Sequence, residues 1–136
     1  MSNLAYVAYP IDFGNDLGST PAKVAAQFLA ELGWTAYLPG EAMTPAVDGP
    51  ISSVVTQVNQ AVMQLADLII ALWPEGVPSV GVPLDIEYGR QLGRPTYVVH
   101  TGWLDASWSA HHWRKVQVAC WDDLDIRKAL EEIVRD

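Results

Sequence analysis

Residues 66–100 read ADLIIALWPEGVPSVGVPLDIEYGRQLGRPTYVVH, and this segment has the clearest secondary-structure pattern in the chain. The apolar run at residues 68–72 predicts a strand buried on both faces, which is typical of a parallel sheet. A Pro- and Gly-rich loop follows, and then a short helix over residues 83–92 that carries Glu87. A second buried strand is predicted at residues 96–100. This order of strand, loop, helix and strand predicts a crossover unit of an α/β protein.

The rest of the chain continues the alternation. We predict further strands at residues 3–9, 34–38 and 115–120, the last at a sheet edge, and further helices at residues 20–32, 51–65 and 122–134. Thr20-Pro21 has the form of an N-cap followed by proline at the first helical position. Residues 39–50 are expected to form a loop. Because crossovers are right-handed, the pattern favours a doubly wound, parallel, five-stranded sheet of Rossmann-like or flavodoxin-like type with strand order 2-1-3-4-5.

Composition limits the class of protein. The chain has 136 residues, half of them apolar, which predicts a single packed domain over residues 1–136. A net charge of −8 with only eight scattered Lys and Arg residues disfavours binding to a nucleic-acid polymer. The sequence shows no secretory signal and no apolar run long enough to cross a membrane, so we expect a cytoplasmic protein. Cys120 is the only cysteine; its apolar neighbours predict a core thiol, and its isolation disfavours a disulfide or a cysteine-based metal site.

A ligand site is expected where two loops leave the carboxyl ends of adjacent central strands, at the point where the strand order reverses. The candidate residues on these two loops and their flanks are Tyr6, Tyr9 and Asp12 from the first and Ser79, Asp85 and Glu87 from the second. Asp85 and Glu87 are two positions apart, so on a helix their side chains diverge by about 200° and only one can face the cleft. From spacing alone, the plainer alternative for Glu87 is an exposed pair with Arg90.

Other motifs narrow the chemistry further. Neither loop contains G-x-G-x-x-G, a Walker lysine or G-x-S-x-G, which disfavours dinucleotide binding, P-loop chemistry and an α/β-hydrolase elbow. His111 and His112 are adjacent, a spacing that does not suit a helical metal site. Trp103, Trp108 and Trp113 lie within eleven residues. They predict either a partner surface or pocket wall, or the cover of a small core, and both interpretations stay open.

Several motifs resemble those of the nucleoside 2-deoxyribosyltransferase-like superfamily. YVAYP at residues 6–10 is similar to the opening Y-hydrophobic-A-G-P, and ADLIIA at residues 66–71 is similar to the strand that begins with A-D. PSVGV at residues 78–82 resembles P-S-x-G-V of the branch that hydrolyses deoxynucleoside 5′-monophosphates. EYGR at residues 87–90 resembles E-x-G-R. The resemblance covers most of the first hundred residues.

The resemblance implies an enzyme that cleaves or transfers the N-glycosidic bond of a nucleoside or nucleotide. It implies Glu87 as the nucleophile that forms a glycosyl-enzyme intermediate, and Tyr6 as the residue that holds it. It also implies that Ser79 contacts a phosphate of the substrate, and Gly81 belongs to the same motif. The resemblance also implies no metal or other cofactor, a small-molecule substrate, and pockets completed by a neighbouring subunit, hence a homodimer or higher homo-oligomer.

The chain departs from the family pattern at three candidate substrate contacts. Asn59 stands eight residues before Asp67, where the family has an aspartate, and it can form hydrogen bonds but cannot titrate. Tyr9 replaces a glycine of the family pattern, and Asp12 lies where the monophosphate branch has a phosphate-binding element. Because Asn59 cannot titrate, we expect any proton donor of the site to be Asp12 or Asp85. Two alternatives to the enzyme stay open: a catalytically inert nucleoside- or nucleotide-binding module of the same fold, and an interaction protein that uses its tryptophans. Hydrolase and transferase are not separated.

Overall fold

The computed structural model of this protein describes residues 3–10, 16–39, 50–74, 79, 81–102 and 113–135. The elements within them are, in chain order, β1 (Asn3–Ala8), α1 (Asp16–Glu31), β2 (Trp34–Tyr37), α2 (Pro50–Leu65), β3 (Leu68–Trp73), α3 (Gly81–Gln91), β4 (Thr96–Thr101), β5 (Arg114–Val118) and α4 (Asp123–Arg135). Each predicted strand and helix is present, with shifted ends. Most of the loop expected over residues 39–50 lies outside the described residues.

The strands form one parallel sheet in the order β2-β1-β3-β4-β5, which confirms the predicted α/β class, strand order and edge position of β5. The order reverses between β1 and β3, so the switch point lies between these two strands. In the register of the sheet, Tyr6 of β1 pairs with Tyr37 of β2 on one side and with Ile69 of β3 on the other. Two tyrosines therefore lie side by side next to the switch point.

Successive side chains of each strand point to opposite faces, and helices cover both faces. On one face α1 and α4 pack over a core that contains Val7, Leu29, Ile70 and Leu130. On the other face α2 and α3 pack over a second core that contains Tyr6, Met63, Ile69 and Ile86. None of the described helices has both the length and the apolar character that crossing a membrane requires.

Helix α3 lies unusually close to the sheet because Gly89 faces it. A Cβ atom at Gly89 would lie 2.6 Å from Ile69 Cδ1 and 2.9 Å from Thr96 Oγ1, so any larger residue would push the helix away from the sheet or displace these side chains. At its other end, Ser79 Oγ accepts a hydrogen bond of 3.1 Å from the Val82 amide, as an N-cap does. This cap explains why α3 begins two residues before the predicted start at residue 83.

Two local predictions are wrong. Helix α1 begins at Asp16, so Thr20 is not its N-cap and Pro21 lies inside the helix, where it omits one backbone hydrogen bond. Cys120 is exposed and is not a core thiol, because β5 ends at Val118 and the chain has already left the sheet. Its Sγ donates to Asp122 Oδ2 at 2.9 Å, and Asp122 in turn caps α4 by accepting the Asp125 amide at 2.8 Å.

Candidate active site

The candidate site lies on the sheet face covered by α2 and α3, next to the switch point. Tyr6 is completely buried there, and its hydroxyl donates a hydrogen bond of 3.0 Å to Asp85 Oδ2 on α3. Asp85 is half-buried. Strand β1 and helix α3 thus bring together two residues that are 79 positions apart in the chain.

Burial sets the protonation chemistry of this pair. It raises the pKa of Asp85 from its ordinary value of 3.8 to about 6, although the hydrogen bond from Tyr6 acts in the opposite direction. Burial also raises the pKa of Tyr6 well above its usual range, and the neighbouring Asp85 charge adds to this effect. At neutral pH the pair is therefore a carboxylate that receives a hydrogen bond from a neutral phenol.

Tyr37 and Asn59 extend the pair. The Tyr37 ring stacks on the Tyr6 ring with centroids 5.6 Å apart and planes inclined by 23°. The Tyr37 hydroxyl donates to Asn59 Oδ1 at 3.3 Å, so α2 is connected to the same group. We call Tyr6, Tyr37, Asn59 and Asp85 the Tyr6 cluster. No sequence motif contains Tyr37; the parallel pairing of β1 with β2, which aligns Tyr37 with Tyr6, is the signal that identifies it.

Glu87 forms the pair with Arg90 that its spacing predicts, and not the contact with Tyr6 that the family resemblance implies. Its Oε2 forms a 3.1 Å salt bridge with Arg90 Nη1, and its Oε1 accepts a 2.7 Å hydrogen bond from Trp113 Nε1. Tyr6 therefore holds Asp85, and the prediction that it holds Glu87 is wrong. The reason is the phase of α3: Val82, Ile86 and Gly89 face the core, so Asp85 lies on the flank near β1 and Glu87 on the flank near Trp113.

Trp113 belongs to the protein interior. It is 6% exposed, and its ring lies 6.1 Å from that of Trp73 in a tilted arrangement. Of the two interpretations of the tryptophans, the one in which they cover the core therefore applies to Trp113. Trp103, Trp108 and both histidines of the 111–112 pair lie outside the described residues.

The other predicted substrate contacts do not all lie near the Tyr6 cluster. Tyr9 is 6% exposed and packs in the core on the face of α1 and α4, whereas Asp85 lies on the face of α2 and α3. Ser79 Oγ accepts the capping hydrogen bond of α3, and Gly81, the first residue of this helix, is exposed. Asp12 lies outside the described residues.

Among the described residues, one group of side chains has the geometry to hold a metal ion. It consists of Cys120, Asp122 and Asp125, whose potential ligand atoms lie within 4.8 Å of one another. The group is at the start of α4, on the opposite side of the sheet from the Tyr6 cluster. The Cys120 thiol donates to Asp122, and Asp122 accepts the Asp125 amide at the start of α4. These two hydrogen bonds account for the arrangement of the three residues.

Comparison with solved structures defines the fold. A 2-deoxyribosyltransferase from the psychrotolerant bacterium Bacillus psychrosaccharolyticus superposes over 90% of both chains with a TM-score of 0.72 and 21% identity. This chain has the 2-deoxyribosyltransferase fold. A CMP N-glycosidase from Clostridium botulinum superposes over 95% of this chain and 99% of its own, with a TM-score of 0.67 and 14% identity.

The 2-deoxyribosyltransferase fold does not by itself define a reaction. A response regulator receiver domain protein from Bacillus halodurans also superposes, over 98% of this chain and 97% of its own, with a TM-score of 0.56 and 15% identity. No protein-family model and no curated protein match the sequence. Any assignment of activity therefore has to depend on the Tyr6 cluster and its surroundings.

Proposed function

We propose that this protein cleaves or transfers the N-glycosidic bond of a nucleoside or nucleoside 5′-monophosphate, and that Asp85 is the nucleophile. The observation that carries the proposal is the 3.0 Å hydrogen bond from Tyr6 to Asp85 beside the switch point. The fold adds support, because two of its structural neighbours are a 2-deoxyribosyltransferase and a CMP N-glycosidase.

The proposed reaction has two steps. Asp85 Oδ1 attacks C1′ of the sugar, the bond from C1′ to the base nitrogen breaks, and the base leaves with the bonding electrons and takes up a proton from water. The resulting sugar ester then reacts with water, which releases the free sugar, or with a nitrogen of a second base, which forms a new nucleoside. Tyr6 holds Oδ2 through both steps and thereby fixes the direction of Oδ1.

The environment of Asp85 suits a nucleophile. A carboxylate whose pKa is about 6 is still ionised at neutral pH, but it is more basic than an exposed aspartate and so a better electron-pair donor. Glu87, the nucleophile that the sequence resemblance implied, accepts hydrogen bonds from Arg90 Nη1 on both oxygens, at 3.1 and 3.3 Å, and from the Trp113 indole on Oε1 at 2.7 Å. Both contacts draw electron density from its carboxylate, which is why we assign the attack to Asp85.

The test is base release from the four common 2′-deoxynucleosides, their ribose counterparts and the 5′-monophosphates of both. We expect Asp85→Asn to lower kcat/KM by about 10³-fold or more, as loss of a nucleophile does in other enzymes. The matched control is Glu87→Gln on the same helix, for which we expect a change of less than about tenfold. If the two variants exchange these results, Glu87 is the nucleophile; if both keep full activity, the carboxylate mechanism is wrong.

Two further measurements refine the outcome. Intact-mass spectrometry of acid-quenched wild-type enzyme should detect the protein plus one sugar, and Asp85→Asn should not form this species. Addition of a second free base should give a new nucleoside if the ester is transferred and only free sugar if it is hydrolysed. Calorimetric binding without turnover by the wild-type protein would instead support the inert binding module, for which Asn59 in place of an aspartate is the favouring observation.

A further inference from the structure

We propose that Tyr37 is a positioning residue of this site, which orients the Asn59 amide so that Nδ2 donates hydrogen bonds to an acceptor atom of the substrate. This inference rests on the proposed function and extends it to a residue on β2. It also defines the kind of group recognised beside Asp85: a base carbonyl, a ring nitrogen or a sugar oxygen, each of which accepts a hydrogen bond.

The first support is the orientation of the Asn59 side chain. An amide can present either its acceptor oxygen or its donor nitrogen to a ligand, and a hydrogen bond to one end decides which. The Tyr37 hydroxyl donates to Oδ1 at 3.3 Å, so the oxygen is occupied. No hydrogen bond joins Nδ2 to another residue in the described part of the chain, which leaves the donor end for a ligand.

The second support is the fixed position of Tyr37 itself. Strand pairing aligns it with Tyr6, and the two rings stack with centroids 5.6 Å apart. Tyr6 is completely buried, so it gives Tyr37 an immobile surface to pack on. Burial also raises the pKa of Tyr37, which keeps its hydroxyl protonated and therefore a donor. Stacking on Tyr6 fixes the position of the Tyr37 ring, and the Tyr37 hydroxyl then orients the Asn59 amide.

A purely structural role for Tyr37 predicts something different. Packing on Tyr6 needs only an aromatic ring, and phenylalanine provides the same ring without the hydroxyl. Tyr37→Phe therefore removes the contact to Asn59 and keeps the stack on Tyr6. If the inference is correct, this variant weakens substrate binding and leaves the attack by Asp85 nearly intact.

The experiment compares kcat and KM for whichever compound of the panel the wild-type enzyme cleaves fastest. We expect Tyr37→Phe to raise KM by about 5- to 10-fold, the usual effect of losing one hydrogen bond, with kcat changed by less than about threefold. Asn59→Ala should raise KM to a similar extent. The matched control is Tyr88→Phe, which removes a tyrosine hydroxyl bonded to Gln64 outside the Tyr6 cluster and should leave KM unchanged.

The decisive measurement is the double variant, because a residue that acts through another loses its effect when that residue is absent. In the Asn59→Ala background, Tyr37→Phe should change KM by less than about twofold. An unchanged KM in Tyr37→Phe alone, or an equal rise in both backgrounds, overturns the inference. If the wild-type protein binds the compounds without turnover, the proposed function fails, and the same cycle measured as Kd by calorimetry still decides the role of Tyr37.

Discussion

Replacement of Asp85 by asparagine is expected to stabilise the protein at neutral pH while it abolishes activity. The physical reason is that the folded state holds this carboxyl in a site that disfavours its charge, whereas the unfolded chain does not. A pKa raised from 3.8 to about 6 corresponds to about 3 kcal/mol of stability lost on ionisation. Asparagine carries no charge and can still accept the Tyr6 hydrogen bond through its own oxygen. Because Asp85 is only half-buried, we expect a gain of about 1 to 3 kcal/mol at pH 7.5.

The difference in stability between Asp85→Asn and the wild-type protein depends on pH. Well below pH 3.8 Asp85 is protonated in both the folded and the unfolded states, so its contribution to stability is intact and the variant gains nothing. As the pH rises through the folded pKa of about 6, the wild-type protein loses this contribution and the variant does not. Urea denaturation at pH 4.5 and at pH 7.5 measures the difference, with Glu87→Gln as the control. A variant less stable than the wild type at pH 7.5, or a difference that does not vary with pH, would refute the reasoning about the buried carboxylate.

Further predictions follow from the described contacts. The proposed attack on C1′ requires an ionised Asp85, so kcat should fall as the pH drops through about 6; a pH–rate profile that stays flat to pH 5 contradicts this role. Ser79→Ala should lower the free energy of unfolding by about 1 kcal/mol because the α3 cap is lost. Ser79→Thr should keep the cap and the wild-type stability. An unaffected melting temperature in the alanine variant contradicts the capping role. Gly89→Ala should destabilise the protein by about 1 to 3 kcal/mol because its Cβ meets Ile69 and Thr96. Gly81→Ala is the matched control, since a Cβ there meets nothing within 4 Å, and equal thermal shifts in the two variants would contradict the close packing of α3.

The sheet order could be predicted because β1, β3 and β4 are short apolar runs and a helix of ordinary length separates each of the first four strands from the next. Right-handed connections then leave few arrangements, and the structure has the expected one. The ends of elements were less predictable. The start of α3 depends on a hydrogen bond from Val82 to Ser79, and the start of α1 lies before a proline that normally marks a first turn.

The positions of Tyr6 and Asp85 beside the switch point could be predicted from the sequence, but the hydrogen bond that joins them could not. Sequence spacing showed that Asp85 and Glu87 point in different directions, yet it could not show which one faces Tyr6. The deciding residue is Gly89, which lies on the buried stripe of α3 but has no side chain to mark it as apolar. Tyr37 was missed for a related reason, since its contact with Tyr6 depends on the alignment of two strands that are separated by a helix.

The close seating of α3 on the sheet has a consequence for how this protein can diversify. A helix whose Gly89 packs directly against the side chains of Ile69 and Thr96 has little freedom to tilt, so Asp85, the proposed nucleophile, is held in position before any ligand arrives. Under the proposed function, insertions or substitutions in the surrounding loops could alter which leaving group is accepted without moving the Asp85 side chain. A change of substrate would then leave the position of the proposed nucleophile unchanged.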